Sequence, residues 1–361
     1  MLEMNVSSGK GSGRGYESLA PYKRNGLVAS STTFMFIGSF GPRLFESREI
    51  LMKLYLSNLT LVAVIGAFCG TLPAQDFANL AQSSTLPQGN GLASKFVEDA
   101  GVDGHPKVVF TEDFESSDYQ KRWGEVNDKD STALKLVSQV EEEAPVGKNS
   151  LQVTADLKRN MGGGLTTWFT SADRVFIRCY VKFDKDCDYI HHFCTLRGNK
   201  AMRGGDAWSG FGGAGLKPDG TARFSTALEP WGDWGQNDPP GKWNFYSYWH
   251  EMKPSPDRKY WGNSFKPAEQ ASIEKGKWIC AEFMLQHNTP GKPDGEQAYW
   301  IDGKLVGHWK GINWRTSENL WANAFTLESY VTDRWTKHQI NIVWFDNVVI
   351  AHDYIGPAGE E

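Results

Sequence analysis

Tyr246 and Tyr248 stand two apart in the run Asn244 to His250, NFYSYWH. On a pleated strand that spacing sends both phenols to one face, with Asn244 and His250 on the same side. Two phenols on one face can move protons. One, made acidic by a neighbouring cation, takes a proton, and the same or the adjacent phenol returns one to a leaving oxygen. A step that builds negative charge also needs a cation or strong donor aimed at that charge. His191 and His192 offer a second source of a base. Glu282 and Gln286 share a face on the strand that runs into Asn288. Trp300 is expected beside them on the neighbouring strand, so all four are read as lining a groove. Arg315, in Ile312-Asn313-Trp314-Arg315, has the planar fork that grips a carboxylate bidentately. The acidic turn Glu112-Asp113-Phe114-Glu115 is a different type of group, oxygen-rich and suited to a hard cation.

The elements that must position these groups read as strands. His287 to Trp309, HNTPGKPDGEQAYWIDGKLVGHW, is the plainest stretch. Glu296, Ala298, Trp300 and Asp302 alternate with Gln297, Tyr299 and Ile301, the period of a strand. Asp302-Gly303 supplies the dipeptide of a two-residue hairpin, whose turn residues need positive φ. Lys304-Leu305-Val306 begins the return strand. Further strands are expected at Val108–Glu115, Ser150–Ala155, Arg174–Phe183, Thr221–Leu228, Asn244–His250, Lys277–Gln286 and Asn341–Ala351. Short strands separated by turn residues, with no helical period, predict an all-β sandwich or jelly roll. If its first and last strands pair, Glu115 and Asp346 come together, and the pair is read as a structural Ca²⁺ site.

Long insertions are expected at 197–217, 229–244 and 254–270, and insertions of that length usually carry function. They hold Trp231, Trp234, Trp243, Tyr260 and Trp261, rings on which the C–H faces of sugars can stack. Glu229, beside them, supplies a polar partner for hydroxyls. The chain has 15 Trp among 361 residues, too many to hide easily in one sandwich core.

Net charge is −5, and no Arg/Lys stripe runs along the chain, which argues against nucleic acid as a partner. Leu54–Leu72 is an apolar run behind Met52-Lys53 that ends at Thr71-Leu72-Pro73-Ala74, the pattern of an export leader. The expected organisation is therefore a non-native or disordered extension over 1–51, a leader over 52–74, a linker over 75–106 and a folded domain over 107–357. A secreted or periplasmic monomer follows, with no membrane attachment once the leader is removed. Export permits disulfides, and Cys187 with Cys194 is a candidate pair.

The segment GKWICAEFMLQHNTPGKPDGEQAYWIDGKLV resembles the jelly-roll, concanavalin A-like polysaccharide lyases that cut alginate and glucuronan. These have a strand ending in Asn-Thr-Pro-Gly, then Asp-Gly or Asn-Gly, then a Trp-containing hairpin. Ala222–Leu228 resembles their Phe-Ser-Ala-Arg-Leu strand, and Phe245–His250 their Tyr-x-Tyr strand. The resemblance implies a sandwich of two antiparallel sheets and β-elimination on a uronate-containing glycan. It carries Ser225, Tyr246 and Tyr248 over as catalytic residues. Two family cations are replaced here: the lysine position holds Thr195 and the arginine position Ala227. Arg223, on the alternating face of Ser225, and Arg197 and Lys200 are the substitutes at hand, with His192 as an additional base. Two other readings stand beside this one. One is a non-catalytic carbohydrate-binding jelly roll. The other is a glycoside hydrolase, which needs two carboxylates across the bond, such as Glu229 with Glu251 or Glu282.

Overall fold

The computed structural model describes residues 77–138 and 144–360. The extension over 1–51 and the leader over 52–74 lie outside the described residues. Among the described residues fifteen strands are present: β1 Val108–Glu112, β2 Glu125–Asn127, β3 Leu134–Ser138, β4 Asn149–Asp156, β5 Gly162–Trp168, β6 Arg174–Phe183, β7 Cys194–Asn199 and β8 Phe224–Trp231, then β9 Lys242–Tyr248, β10 Asn263–Phe265, β11 Trp278–Gln286, β12 Gly295–Ile301, β13 Lys304–Ile312, β14 Trp321–Tyr330 and β15 Ile340–Ala351. They form two antiparallel sheets, ordered β13-β12-β11-β6-β15-β4-β3, with β1 also on β15, and β10-β9-β8-β7-β14-β5-β2. This is the expected jelly-roll sandwich.

The core lies between the sheets and is built by alternation. Ile177, Cys179, Val181 and Phe183 of β6 and Phe283 and Leu285 of β11 face Leu196 of β7, Leu228 of β8, Phe245 of β9 and Phe325 and Leu327 of β14. The hairpin forms as expected, with φ of 49° at Asp302 and 73° at Gly303. First and last strands pair, Glu112 opposite Val348.

Residues 77–106 are not a linker. The Phe77 ring meets those of Phe265 and Trp249 at 5.1 and 6.0 Å. Leu92, Ala93 and Val102 are buried with Phe176, Met284, Ala298, Trp300 and Tyr354 on the outer face of the larger sheet. That face is apolar and must be covered, so the segment straps across it in short 3₁₀ turns at Ala81–Ser83, Leu92–Lys95 and Val102–Gly104. Buried Arg178 of β6 pairs with Asp99 of this strap. The expected insertions are also shorter than read: β7 occupies 194–199, β8 runs on to Trp231 and β10 interrupts 254–270.

The described cysteines are free and buried. Cys194 does not meet Cys187. Its Sγ lies 3.6 Å from Cys179 Sγ across the sandwich, while Cys187 donates to Asp188 O at 3.5 Å. Among the described residues, no helix is long and apolar enough to cross a membrane.

Candidate active site

Strand alternation puts Ser225, Ala227, Glu229 and Trp231 of β8 on the side away from the core, and Asn244, Tyr246 and Tyr248 of β9 beside them. Register fixes the rows. Ser225 stands between Tyr248 and Arg197 of β7, Ala227 between Tyr246 and Thr195, and Glu229 opposite Asn244. Beyond Thr195 the row continues to Thr326 of β14, and Glu328 follows two residues on.

The phenol oxygens of Tyr246 and Tyr248 are 3.3 Å apart. Both rings are half-buried. Burial, and then the neighbouring Tyr248, push the Tyr246 phenol well above its ordinary range. Tyr246 packs against Gly262, where an added Cβ would sit 2.5 Å from the ring. Arg223 is held in place by the carbonyls of Leu216, Gly213 and Gly212, at 2.7, 3.2 and 3.4 Å. Burial lowers its pKa, and its attraction to the Tyr248 oxygen opposes that.

Arg197 lies over the Phe211 ring at 4.7 Å and 3.5 Å from Glu328 Oε1. Burial raises the Glu328 carboxyl, and Arg197 pulls it back. Glu229 is 95% buried, with 5% exposure. Burial, with Glu328 adding, pushes its carboxyl up to about 8, so it holds a proton at neutral pH. Glu229 Oε2, Thr195 Oγ1 and both polar side-chain atoms of Asn244 are buried with no partner among the described residues, a set that invites water or substrate hydroxyls. His192 is open at its surface and stacks on Tyr330 at 5.9 Å. Desolvation on its protein side, and then the Arg197 charge, lower its imidazole pKa. His250 sits at the rim, 3.7 Å from Glu251.

Ser225, Arg223, Arg197, His192, Glu229, Trp231, Asn244, Tyr246, Tyr248 and the rim residue His250 thus belong to one sheet and its border. The other expected residues do not join them. Glu282 faces the outer side of the larger sheet and accepts the N–H groups of Ile355 and Gly356, both at 2.8 Å. Burial nonetheless raises it to about 7. Gln286 shares that side and accepts from Arg174 at 2.7 Å. Trp300 is fully buried under the strap and donates to Pro87 O at 2.8 Å. Alternation was read correctly for these three, but their face belongs to the other sheet. Asn288 and Arg315 are buried and hold each other's loop: Asn288 Nδ2 donates to Arg315 O at 2.8 Å. Arg315 donates to Leu320 O at 2.8 Å and lies over Trp321 at 4.0 Å, so it clamps backbone and not a ligand. Glu328, Thr326 and Phe211 were missed.

The expected calcium pair fits poorly. Glu115 Oε1 accepts the N–H groups of Lys148 and Asn149 at 2.6 and 2.8 Å, and Oε2 the Asn149 side chain at 2.9 Å. That takes three of about four lone-pair sites on the carboxylate. Asp346 lies nearby, and burial raises its carboxyl well above the ordinary range. Among the described residues, no three His, Cys, Asp or Glu side chains converge as a metal cluster, whereas Ca²⁺ takes six to eight oxygens. Glu115 is a clamp on the β3–β4 connection.

The row of polar side chains on one sheet of a jelly roll can be set beside solved structures. An alginate lyase from a Chlorella virus superposes with a TM-score of 0.50 at 15% identity, over 68% of this chain and 99% of that one. The fold is that of the jelly-roll alginate lyases. The marine alginate lyase from Aplysia kurodai superposes equally, with a TM-score of 0.50 at 13% identity, over 68% of this chain and 99% of that one. No family model and no curated protein matches the sequence. At such identities the likeness to these lyases concerns the scaffold alone, and function rests on the site.

Proposed function

We propose that the chain is an exported polysaccharide lyase that cleaves a uronate-containing glycan by β-elimination. The observation that carries this reading is the phenol pair on the sheet, 3.3 Å apart, with Arg223 fixed beside Tyr248. Tyr248 is the base, with the Arg223 cation beside it, and takes the proton from the carbon next to the uronate carboxylate. The electron pair left there forms a carbon–carbon double bond as the glycosidic C–O bond breaks. Tyr246, whose surroundings keep it protonated, donates its proton to the leaving oxygen. The proton on Tyr248 then crosses to Tyr246 and the pair is restored, with no water consumed. Arg197, across Ser225 from Tyr248, is the cation assigned to the substrate carboxylate, where charge builds in the transition state. Neutral Glu229 and Asn244 bind hydroxyls. A monomer in the secreted or periplasmic space is part of the same proposal.

The test is to incubate the full chain with alginate, glucuronan, pectate and glycosaminoglycans and to follow the ultraviolet absorbance of the unsaturated product. Absorbance in one of them that is lost in Tyr248→Phe supports the reading. New reducing ends without absorbance would sink it in favour of a hydrolase. The residues for that second reading are Glu229 and Glu328, two carboxylates on one face, each raised by burial.

A further inference from the structure

Trp231 ends the outward row of β8. It lies six residues beyond Ser225, roughly 20 Å at the rise of a strand. The loop that follows builds an aromatic surface there. Trp234 is 66% exposed. Its indole meets Trp231 at 5.7 Å and Trp335 at 5.1 Å, both edge to face. With Tyr189 and His191 these rings border a recess of about 30 Å³. That is far below the ~300–1,000 Å³ of enclosed ligand pockets, so a ligand ring would stack on the indole surface rather than enter a cavity.

The exposure of Trp234 is maintained against two costs. Its apolar surface stays in water, and the backbone below it is left-handed at consecutive non-glycine residues, with φ of 44° at Asp233 and 60° at Trp234. Such residues are uncommon and persist only where the surroundings enforce them. Here they do. Asp233 is gripped by Lys266 at 2.8 Å and Trp231 Nε1 at 3.2 Å. Tyr189 donates to Asn237 O at 2.6 Å, and Asn237 donates to Trp231 O at 3.0 Å. The indole is therefore presented in a fixed pose, which lowers the ordering cost of binding.

The chemistry of the recess selects its occupant. Flat indole and phenol surfaces suit the C–H face of a pyranose. A cationic ligand would meet Arg334, whose guanidinium already lies over Trp335 at 4.9 Å. A uronate would find that Arg334 too, but against it Asp188 and Asp238, the acidic groups that act on Tyr189, so neither sign of charge is selected. Lys266, the cation on this loop, is bound to Asp233. We propose that this recess is a carbohydrate subsite, separate from the tyrosine pair, that takes an uncharged pyranose ring. If the lyase reading also holds, on which this clause alone rests, the glycan mixes uronate with neutral sugar.

The test is binding of the full chain to cellotetraose, xylotetraose and mannotetraose at millimolar concentration, followed by indole fluorescence and calorimetry, with trigalacturonate as the charged comparison. The expected result is binding of at least one neutral probe, weakened tenfold or more by Trp234→Ala and unchanged by Tyr248→Phe. Trp234 is exposed, so its removal should leave the melting temperature in place. Trp335→Phe gives a second, milder variant with an intermediate loss. Absence of binding by all three neutral probes overturns the proposal. So does undiminished binding in Trp234→Ala, or tighter binding of the uronate. No readout depends on turnover, so failure of the lyase reading would leave this result standing.

Discussion

Tyr246 and Tyr248 meet edge to face, with ring centroids 5.5 Å apart and phenol oxygens at 3.3 Å. Placing both oxygens within proton-exchange distance requires neighbouring side chains on one face of one strand. Each oxygen then has a distinct environment: Tyr246 is the one pushed up by burial, and Tyr248 is the one beside Arg223. Removal of either hydroxyl should therefore cost turnover and little stability. Tyr248→Phe and Tyr246→Phe are each expected to lower kcat by about 10²–10⁴-fold, the usual range for a lost acid or base. Both should keep the melting temperature within a few degrees. Product absorbance and thermal unfolding measure the two effects.

The position of Arg223 predicts an effect on turnover. Its cation lies beside Tyr248 and is fixed by three carbonyl contacts. Arg223→Gln is expected to lower kcat/KM by about tenfold or more, with little change in melting temperature. Arg223→Lys should lose less, because the charge stays while the three carbonyl contacts are lost. An equal loss in both variants would assign Arg223 a purely structural part.

Gly262 should be intolerant of any side chain. The Cβ of an alanine would lie 2.5 Å from the Tyr246 ring, closer than packed atoms approach. Gly262→Ala is expected to push Tyr246 aside, cutting turnover at least tenfold while the fold survives, since residue 262 lies in a loop edge before β10. A crystal structure of the variant would show the two phenol oxygens separated.

Glu229 should make stability fall as pH rises. Its folded carboxyl is raised from 4.5 to about 8. A raised group contributes fully below its unfolded value and loses that contribution as pH climbs through the folded one. Between 4.5 and about 8 the wild type is expected to lose stability, with Glu282, raised to about 7, acting in the same direction. Glu229→Gln, which cannot ionise, should flatten this slope in denaturant titrations across that window.

Much of this was legible in residue order, and the parts that were not share a physical cause. The Asp302-Gly303 turn, the pairing of first and last strands and the shared face of Tyr246 and Tyr248 all follow from local rules of spacing. Alternation also grouped Glu282, Gln286 and Trp300 correctly. It could not say which sheet their face belongs to, because a period of two distinguishes sides and not sheets. β14, WANAFTLESY, is buried on nearly every residue and carries no clean alternation, so Glu328 went unread. The strap over 77–106 has no period at all. Its Leu92, Ala93 and Val102 are isolated apolar residues whose purpose appears only once the outer face they cover is in place.

That strap supplies the last prediction. Arg178 is fully buried, and its guanidinium donates to Asp99 of the strap. Burial works against its charge, and Asp99 together with Cys280 and Tyr180 more than offsets that. Asp99 also accepts from Asn347 at 2.9 Å, so one carboxylate ties the strap to two strands of the larger sheet. Asp99→Ala leaves a buried cation without its counter-charge, a loss of about 3–5 kcal/mol in comparable pairs. A drop in unfolding free energy of that size is expected from denaturant titration, with faster proteolysis inside 77–106. The double variant Asp99→Ala/Arg178→Met removes the stranded charge and should recover most of the stability. The tyrosine pair belongs to the opposite sheet, so both variants are expected to keep wild-type turnover below their melting temperatures. If the single variant melts like the wild type, the ion pair does not hold the strap, and its anchoring falls to the apolar contacts of Leu92, Val102 and Trp300.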